Sequence, residues 1–202
     1  MKNSDWLTNY DATNETFWQN EGKKIAWKTL TITTIALTMS FATWFLFSVV
    51  VIKLPKIGFK FSDNQLFWLA AMPGLAGGLL RILNTFLIPM FGTKKVITVT
   101  TFLKIIPLFM LGFAVMDPNS SFGYFMLIAF LLGIGGGDFS SYMPSTSLFF
   151  PKKELGTALG VQAGIGNFGV SLVQLLSPLI IGLSIFSFMG GGEIIAETGK
   201  TI

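Results

Sequence analysis

Residues 67–91, FWLAAMPGLAGGLLRILNTFLIPMF, form a long apolar run that carries one charge, Arg81, the only arginine of the chain. At 1.5 Å rise per residue, about 20 helical residues cross the ~30 Å hydrocarbon core of a bilayer, so the run reads as a membrane span. An arginine near the middle of such a helix costs at least ~2.5 kcal/mol to insert, which something must offset. At helical spacing Gly74, Gly77, Gly78, Asn84 and Thr85 share a small, polar face with it, while Leu79, Leu80, Ile82 and Leu83 fill the rest. An intramembrane cation on such a face points to an anion site lining an interior pathway. The plainer alternative is an arginine that snorkels to the headgroups or pairs with a structural carboxylate.

The other apolar runs place the whole chain in the same class. Hydrophobic residues make up 51% of the 202, with 21 phenylalanines and only 12% charged residues, and this excludes a soluble domain. The expectation is an all-α polytopic membrane protein with five transmembrane helices, because continuous apolar runs do not match the short alternating strands of a barrel. The first run begins near Thr29 and is too long for a cleaved signal peptide. Without cysteine or histidine, zinc, haem and thiol chemistry are not expected, and no cofactor is called for. The net charge of +4 comes from lysines beside the apolar runs, a topology signal and not a nucleic-acid footprint. No nucleophile–base set or phosphate loop suggests an enzyme.

The chain divides into a polar lead-in over 1–28, a membrane region over 29–189 and a polar tail over 190–202. The lead-in, with Trp6, Tyr10, Phe17, Trp18 and Trp27, suggests an interfacial helix whose indole rings sit at headgroup level. The pattern predicts helices over about 29–52, 64–91, 96–116, 122–150 and 156–189, with Ser62 or Asp63 capping the second and Pro144 kinking the fourth. Lys2, Lys23, Lys24, Lys28, Lys94, Lys95, Lys152 and Lys153 fall on one side and Lys53, Lys56 and Lys60 on the other. That imbalance predicts a cytoplasmic N-terminus and an extracytoplasmic tail.

Three features carry candidate chemistry. Gly164-Ile165-Gly166-Asn167-Phe168-Gly169 is formally a G-x-G-x-x-G, but it lies inside a membrane-length run and not after a strand, so a dinucleotide site is rejected. At helical spacing Gly160, Gly164, Asn167, Ser171 and Gln174 instead draw one stripe. Gly156, Gly160 and Gly164 also form a doubled G-x-x-x-G. Two readings stay open: tight helix packing with Asn167 as interhelical glue, or bare backbone against a small ligand with Asn167 as a donor. Asp138 follows a glycine cluster in the fourth run, and Lys104 interrupts the third. Counted from the cytoplasmic ends, Lys104 lies about 9 residues deep and Asp138 about 12, a difference of roughly 5 Å. They are candidates for an ion pair, with Asp138 as a proton carrier the alternative.

The string FFPKKELGTALGVQAGIGNFGVSLVQLLSPL resembles the signature region of the nitrate/nitrite porters (NarK-type) of the major facilitator superfamily. The resemblance extends backwards through GGLLRILNTFLIPMFGTKK, LPKIGFKFSDNQLF, FATWFLFS and FWQNEGKKIA. It implies a twelve-helix fold in two six-helix halves with an anion site between them, the chain supplying most of the N-terminal half. It implies that Arg81 matches the substrate-binding arginine, Asn167 the signature asparagine, Phe41 and Phe139 the aromatics that wall the site, and Gly164, Gly166 and Gly169 the signature glycines. Asp138 departs from the pattern, which has asparagine there, and a carboxylate beside an anion route repels the substrate unless protonated or paired. The implied function is nitrate or nitrite transport across the cell inner membrane, by exchange or proton symport. The implied partners are the anion, the lipid bilayer and a missing C-terminal half, with no nucleic acid. The alternatives are a porter for another small anion and a truncated, non-transporting membrane protein or interaction partner.

Overall fold

Residues 10–182 are described by a computed structural model. A helical turn, α1 (Glu15–Phe17), starts where the Asn14 side chain accepts from the Phe17 N–H at 3.0 Å. It passes through a five-residue π turn directly into α2 (Lys23–Lys53). The first long helix thus begins at Lys23, before the apolar pattern does, because Ala26 and Leu30 are buried with Trp18, Phe150 and Ala158 in one cluster. Trp18 packs inside the bundle with Ala26, Leu30, Phe150 and Ala158. It is fully buried, and its indole N–H donates to Glu154 at 3.1 Å.

A 3-10 turn over Leu54–Ile57 and Gly58, at φ 101°, close the first rod. Ser62 then caps α3 (Asp63–Phe91): its hydroxyl accepts from the Gln65 N–H at 3.3 Å while the Gln65 side chain accepts from the Ser62 N–H at 2.9 Å. Gly92, at φ 80°, separates α3 from α4 (Thr93–Leu103), a conformation that favours glycine. After α5 (Ile105–Met116) and the Asp117 turn come α6 (Phe122–Gly137), α7 (Phe139–Phe149) and α8 (Lys152–Gly182). Among the described residues five helical rods are long and apolar enough to cross a membrane. The remainder of the predicted fifth span and the polar tail lie outside the described residues, as do residues 1–9.

Two rods are interrupted, at Lys104 between α4 and α5 and at Asp138 between α6 and α7. Pro107, with no N–H to give the Leu103 carbonyl, follows the first break; four glycines among residues 133–137 precede the second. The predicted kink at Pro144 is not where the fourth rod breaks: α7 continues through that proline.

The most extensive packing joins α3 to α6 and α2 to α8. Both contacts use glycine as a place where backbones meet. A Cβ on Gly133 would collide with Ala76 and Gly77 of α3, and one on Gly169 would collide with the Thr38 carbonyl of α2. Apolar clusters fill the two ends of the bundle, around Phe47, Leu54, Leu69 and Phe125 at one and Trp18, Leu30 and Phe150 at the other. Between them Leu37, Phe41 and Tyr142 form a smaller cluster. The candidate residues lie in this middle layer.

Candidate functional site

Three of the residues singled out from the sequence meet where α6 turns into α7. Arg81, on α3, donates through Nε to the Gly136 carbonyl at 3.1 Å. Its guanidinium carbon lies 5.3 Å from the centroid of the Phe139 ring, within cation–π range. Phe139 in turn stacks on Phe41 of α2, with centroids 6.1 Å apart and planes 9° from parallel. Gly136 fits there because it has no side chain: a Cβ would lie 2.7 Å from the Trp44 ring. Trp44 is fixed by its own indole N–H, which donates to the Pro73 carbonyl at 3.0 Å.

The guanidinium therefore has one nitrogen committed to a carbonyl and one face to an aromatic ring. Its terminal amino groups donate to no protein group among the described residues, and no carboxylate pairs with it. That leaves a planar fork of parallel N–H bonds, the geometry that suits a planar oxyanion and that a lysine does not reproduce.

The small, polar face read from the sequence of α3 divides in two. Gly77 and Asn84 are buried towards α6, whereas Gly74, Gly78, Arg81 and Thr85 form an exposed stripe. The α8 stripe behaves like this second group. Gly160, Gly164, Asn167, Ser171 and Gln174 are all exposed, and nothing lies within 4 Å of a Cβ placed on Gly156, Gly160 or Gly164. The doubled G-x-x-x-G is thus not a contact between helices among the described residues. Gly166 and Gly169 take that role instead: a Cβ on Gly166 would lie 2.7 Å from Leu37, and Gly169 backs onto Thr38. Asn167 donates to the Ala163 carbonyl of its own helix at 2.8 Å, so its amide is not glue between described helices.

Lys104 and Asp138 form an ion pair, with 4% and 0% of their surface exposed. Lys104 Nζ donates to both Asp138 Oδ2 and Ser40 Oγ, and the Ser40 hydroxyl lies 2.9 Å from the same carboxylate oxygen. The carboxylate that seemed out of place beside an anion route is therefore countered by a cation on the neighbouring rod. Sequence reasoning missed Ser40, since one serine in an apolar run carries no signal of its partner. It also missed the buried chain in which Thr146 donates to Gln162 at 2.6 Å and Gln162 donates to Thr33 at 2.9 Å. A groove of about 770 Å³ opens elsewhere, lined by residues such as Thr29, Ile32, Thr93, Lys95 and Phe149, and includes none of Arg81, Phe139, Phe41 or Asn167.

Comparison with known proteins bears on the family. Residues 32–196 match the model of the Major Facilitator Superfamily. Over 187 residues, 93% of the chain and 42% of the relative, it is 54% identical to a probable nitrate/nitrite antiporter, NarK2, of Thermus thermophilus. It is 47% identical over 184 residues to the nitrate/nitrite transporter NarU of Salmonella typhimurium, covering 91% of the chain and 40% of the relative. It is 45% identical over all 202 residues to the nitrate/nitrite transporter NarU of Escherichia coli, 44% of which is covered. The chain thus spans less than half the length of these relatives. With five span-length helical rods and a family match over most of its length, the chain is a multi-pass membrane protein that belongs to the Major Facilitator Superfamily.

Proposed function

We propose that the chain is the N-terminal part of a nitrate/nitrite transporter, working by exchange or proton-coupled symport, and is not an enzyme. The observation that carries this reading is Arg81: anchored through Nε on Gly136, backed by Phe139, and left with its terminal amino groups free to receive an anion. Arg81 attracts and orients the anion through two parallel N–H bonds, Asn167 adds a neutral donor, and Phe41 and Phe139 exclude water. Gly164, on the exposed side of α8 with Asn167, lets the anion approach bare backbone; Gly166 and Gly169 hold α8 against α2 so that this side faces outward. The names of the relatives support nitrate or nitrite as the anion.

A second half of the porter covers the exposed stripes of α3 and α8, and the chain's share of its relatives, 40–44%, supports the existence of that half. Alternating access requires one half to rock against the other around the site, so transport belongs to the two halves together. The protein lies in the cell inner membrane with its N-terminus cytoplasmic, as the lysine distribution supports. The test is nitrate uptake into proteoliposomes holding this chain together with a C-terminal half, with Arg81→Lys as comparator. Uptake that falls in the variant supports the reading; unchanged uptake removes the arginine fork from it. The coverage of the relatives also favours a second reading, a truncated membrane protein that does not transport, and that predicts no uptake even when a second half is supplied.

A further inference from the structure

Both of Arg81's protein contacts come from one short stretch, the α6–α7 corner. Gly136 supplies the carbonyl that holds Nε, and Phe139 supplies the ring beneath the guanidinium. Between them lies Asp138, at the break itself, where the helix has lost part of its own hydrogen-bonded ladder. Asp138 itself keeps its bonds to Ile134 and Tyr142, but the glycines before it give this turn little stiffness of its own, so contacts from other helices matter more here. Two other elements supply them: Ser40 of α2 and Lys104, which stands at the break of the third rod, both bind the Asp138 carboxylate. The carboxylate and ammonium are almost wholly out of contact with solvent. The corner is also flanked tightly, since Cβ atoms on Gly135 and Gly137 would collide with Ser40 and Leu80.

We propose that Lys104 and Ser40 are positioning residues for Arg81: by binding Asp138 they fix the α6–α7 corner, and the corner in turn sets the direction of the guanidinium fork. The proposal rests on reading Arg81 as the anion-binding group. In this arrangement Asp138 is an anchor and not a proton carrier. The carboxylate oxygen that faces polar groups is already occupied by Lys104 and Ser40, and its other oxygen, Oδ1, is buried without a partner. The groups that face it from each packed element are Ser40 on α2, Lys104 at the α4–α5 break and, one turn along its own rod, Tyr142. Lys104 and Asp138 together add no net charge, so among the described residues Arg81 remains an uncompensated cation in the middle layer.

The chain has a single arginine, so labelling arginine with ¹⁵N gives one Nε–H signal, which reports on Arg81 without any ligand. The full chain in lipid nanodiscs is compared with the Lys104→Met/Asp138→Asn double variant, which removes both charges together and so leaves no unpaired ion. Ser40→Ala, which removes the hydroxyl that Asp138, Lys104 and the Ala36 carbonyl share and leaves the ion pair, decides the matter if the double variant does not fold. In the folded variants exchange of the Nε–H with water should accelerate by about ten-fold, the factor that a lost net hydrogen bond corresponds to. Helix content should be unchanged. Unchanged exchange in a folded variant overturns the proposal and leaves the pair as charge neutralisation alone. A shift along the pH axis of nitrate uptake by proteoliposomes that hold the double variant with a C-terminal half, with Arg81 exchange unaltered, overturns it in favour of a proton-carrying Asp138. Titrating nitrate into the unaltered protein separates this outcome from the reading on which it rests. If nitrate fails to perturb the Arg81 signal while the variants do, the anion site is wrong and the positioning stands.

Discussion

Lys104 and Arg81 both lie well inside membrane-spanning rods, yet their surroundings differ. Lys104 stands at a helix break, 4% exposed, and shares a carboxylate with Ser40. Arg81 stands on an unbroken helix with an exposed side chain, holding a backbone carbonyl and an aromatic ring but no carboxylate. Both ions are costly to place in lipid, and each cost is met differently. At Lys104 the charge is cancelled within the protein, which makes it part of the scaffold. At Arg81 the charge is held in place but not cancelled, and a cation kept in that state is available to an anion.

The largest effect separates these two roles directly. Lys104→Met leaves the Asp138 carboxylate buried with only Ser40 to bind it, and breaking one side of a buried pair costs about 3–5 kcal/mol. Folded yield and resistance to unfolding in detergent should drop accordingly, and reversing both charges together should restore expression that either single reversal loses. Arg81→Lys should cost much less folded yield, because it strands no buried charge and frees only the Gly136 carbonyl that Nε holds. If Lys104→Met behaves as mildly as Arg81→Lys, the contrast between the two cations fails.

Arg81→Lys comes next in size, on the function side of the comparison. Replacing the fork by a point charge loses one charge-assisted hydrogen bond to the anion and should weaken nitrate binding by about 10- to 100-fold. The measurement is the concentration dependence of uptake by the two halves together. An unchanged half-saturating concentration would mean that the terminal amino groups of Arg81 do not face the substrate.

The contrast between committed and uncommitted positions also bears on what could be read beforehand. Membrane-length runs and a cap at Ser62 or Asp63 were legible because each follows from local chemistry. The Lys104–Asp138 pair was legible as a candidate because two ions at similar depth in lipid have few alternatives. Ser40, the Gly136 carbonyl and the Gln162 chain were not, since each draws its meaning from a partner on another helix. The glycines of α8 show the limit most clearly. All share one sequence signature, yet Gly166 and Gly169 pack on α2 whereas Gly164 faces outward, and which is which depends on where α2 lies.

That division yields a paired measurement. Gly169→Ala drives a methyl group into the Thr38 carbonyl, and overpacking against backbone costs about 1–3 kcal/mol. Gly164→Ala has open space and should cost nothing, with helix propensity favouring alanine by up to about 1 kcal/mol. Thermal unfolding in detergent compares the two. Equal losses would show that α8 is rotated relative to α2.

Asn167→Ala is the smallest change and the one that decides between the two readings of the α8 stripe. Asn167 is exposed and its Nδ2 group donates to Ala163 one turn back, so no described neighbouring helix relies on it. Interhelical glue predicts a stability loss when the amide is removed, comparable to that of Gly169→Ala. A donor to the anion predicts a stability change within about 0.5 kcal/mol, as at other uncommitted surface positions. It also predicts a few-fold rise in the half-saturating nitrate concentration, the worth of about one neutral hydrogen bond. The amide can serve in this way because the bond to Ala163 occupies one of its two N–H groups and leaves the other to donate. Stability and uptake measured on the same preparation therefore separate the two: a loss in the first assigns Asn167 to packing, and a change confined to the second assigns it to the anion.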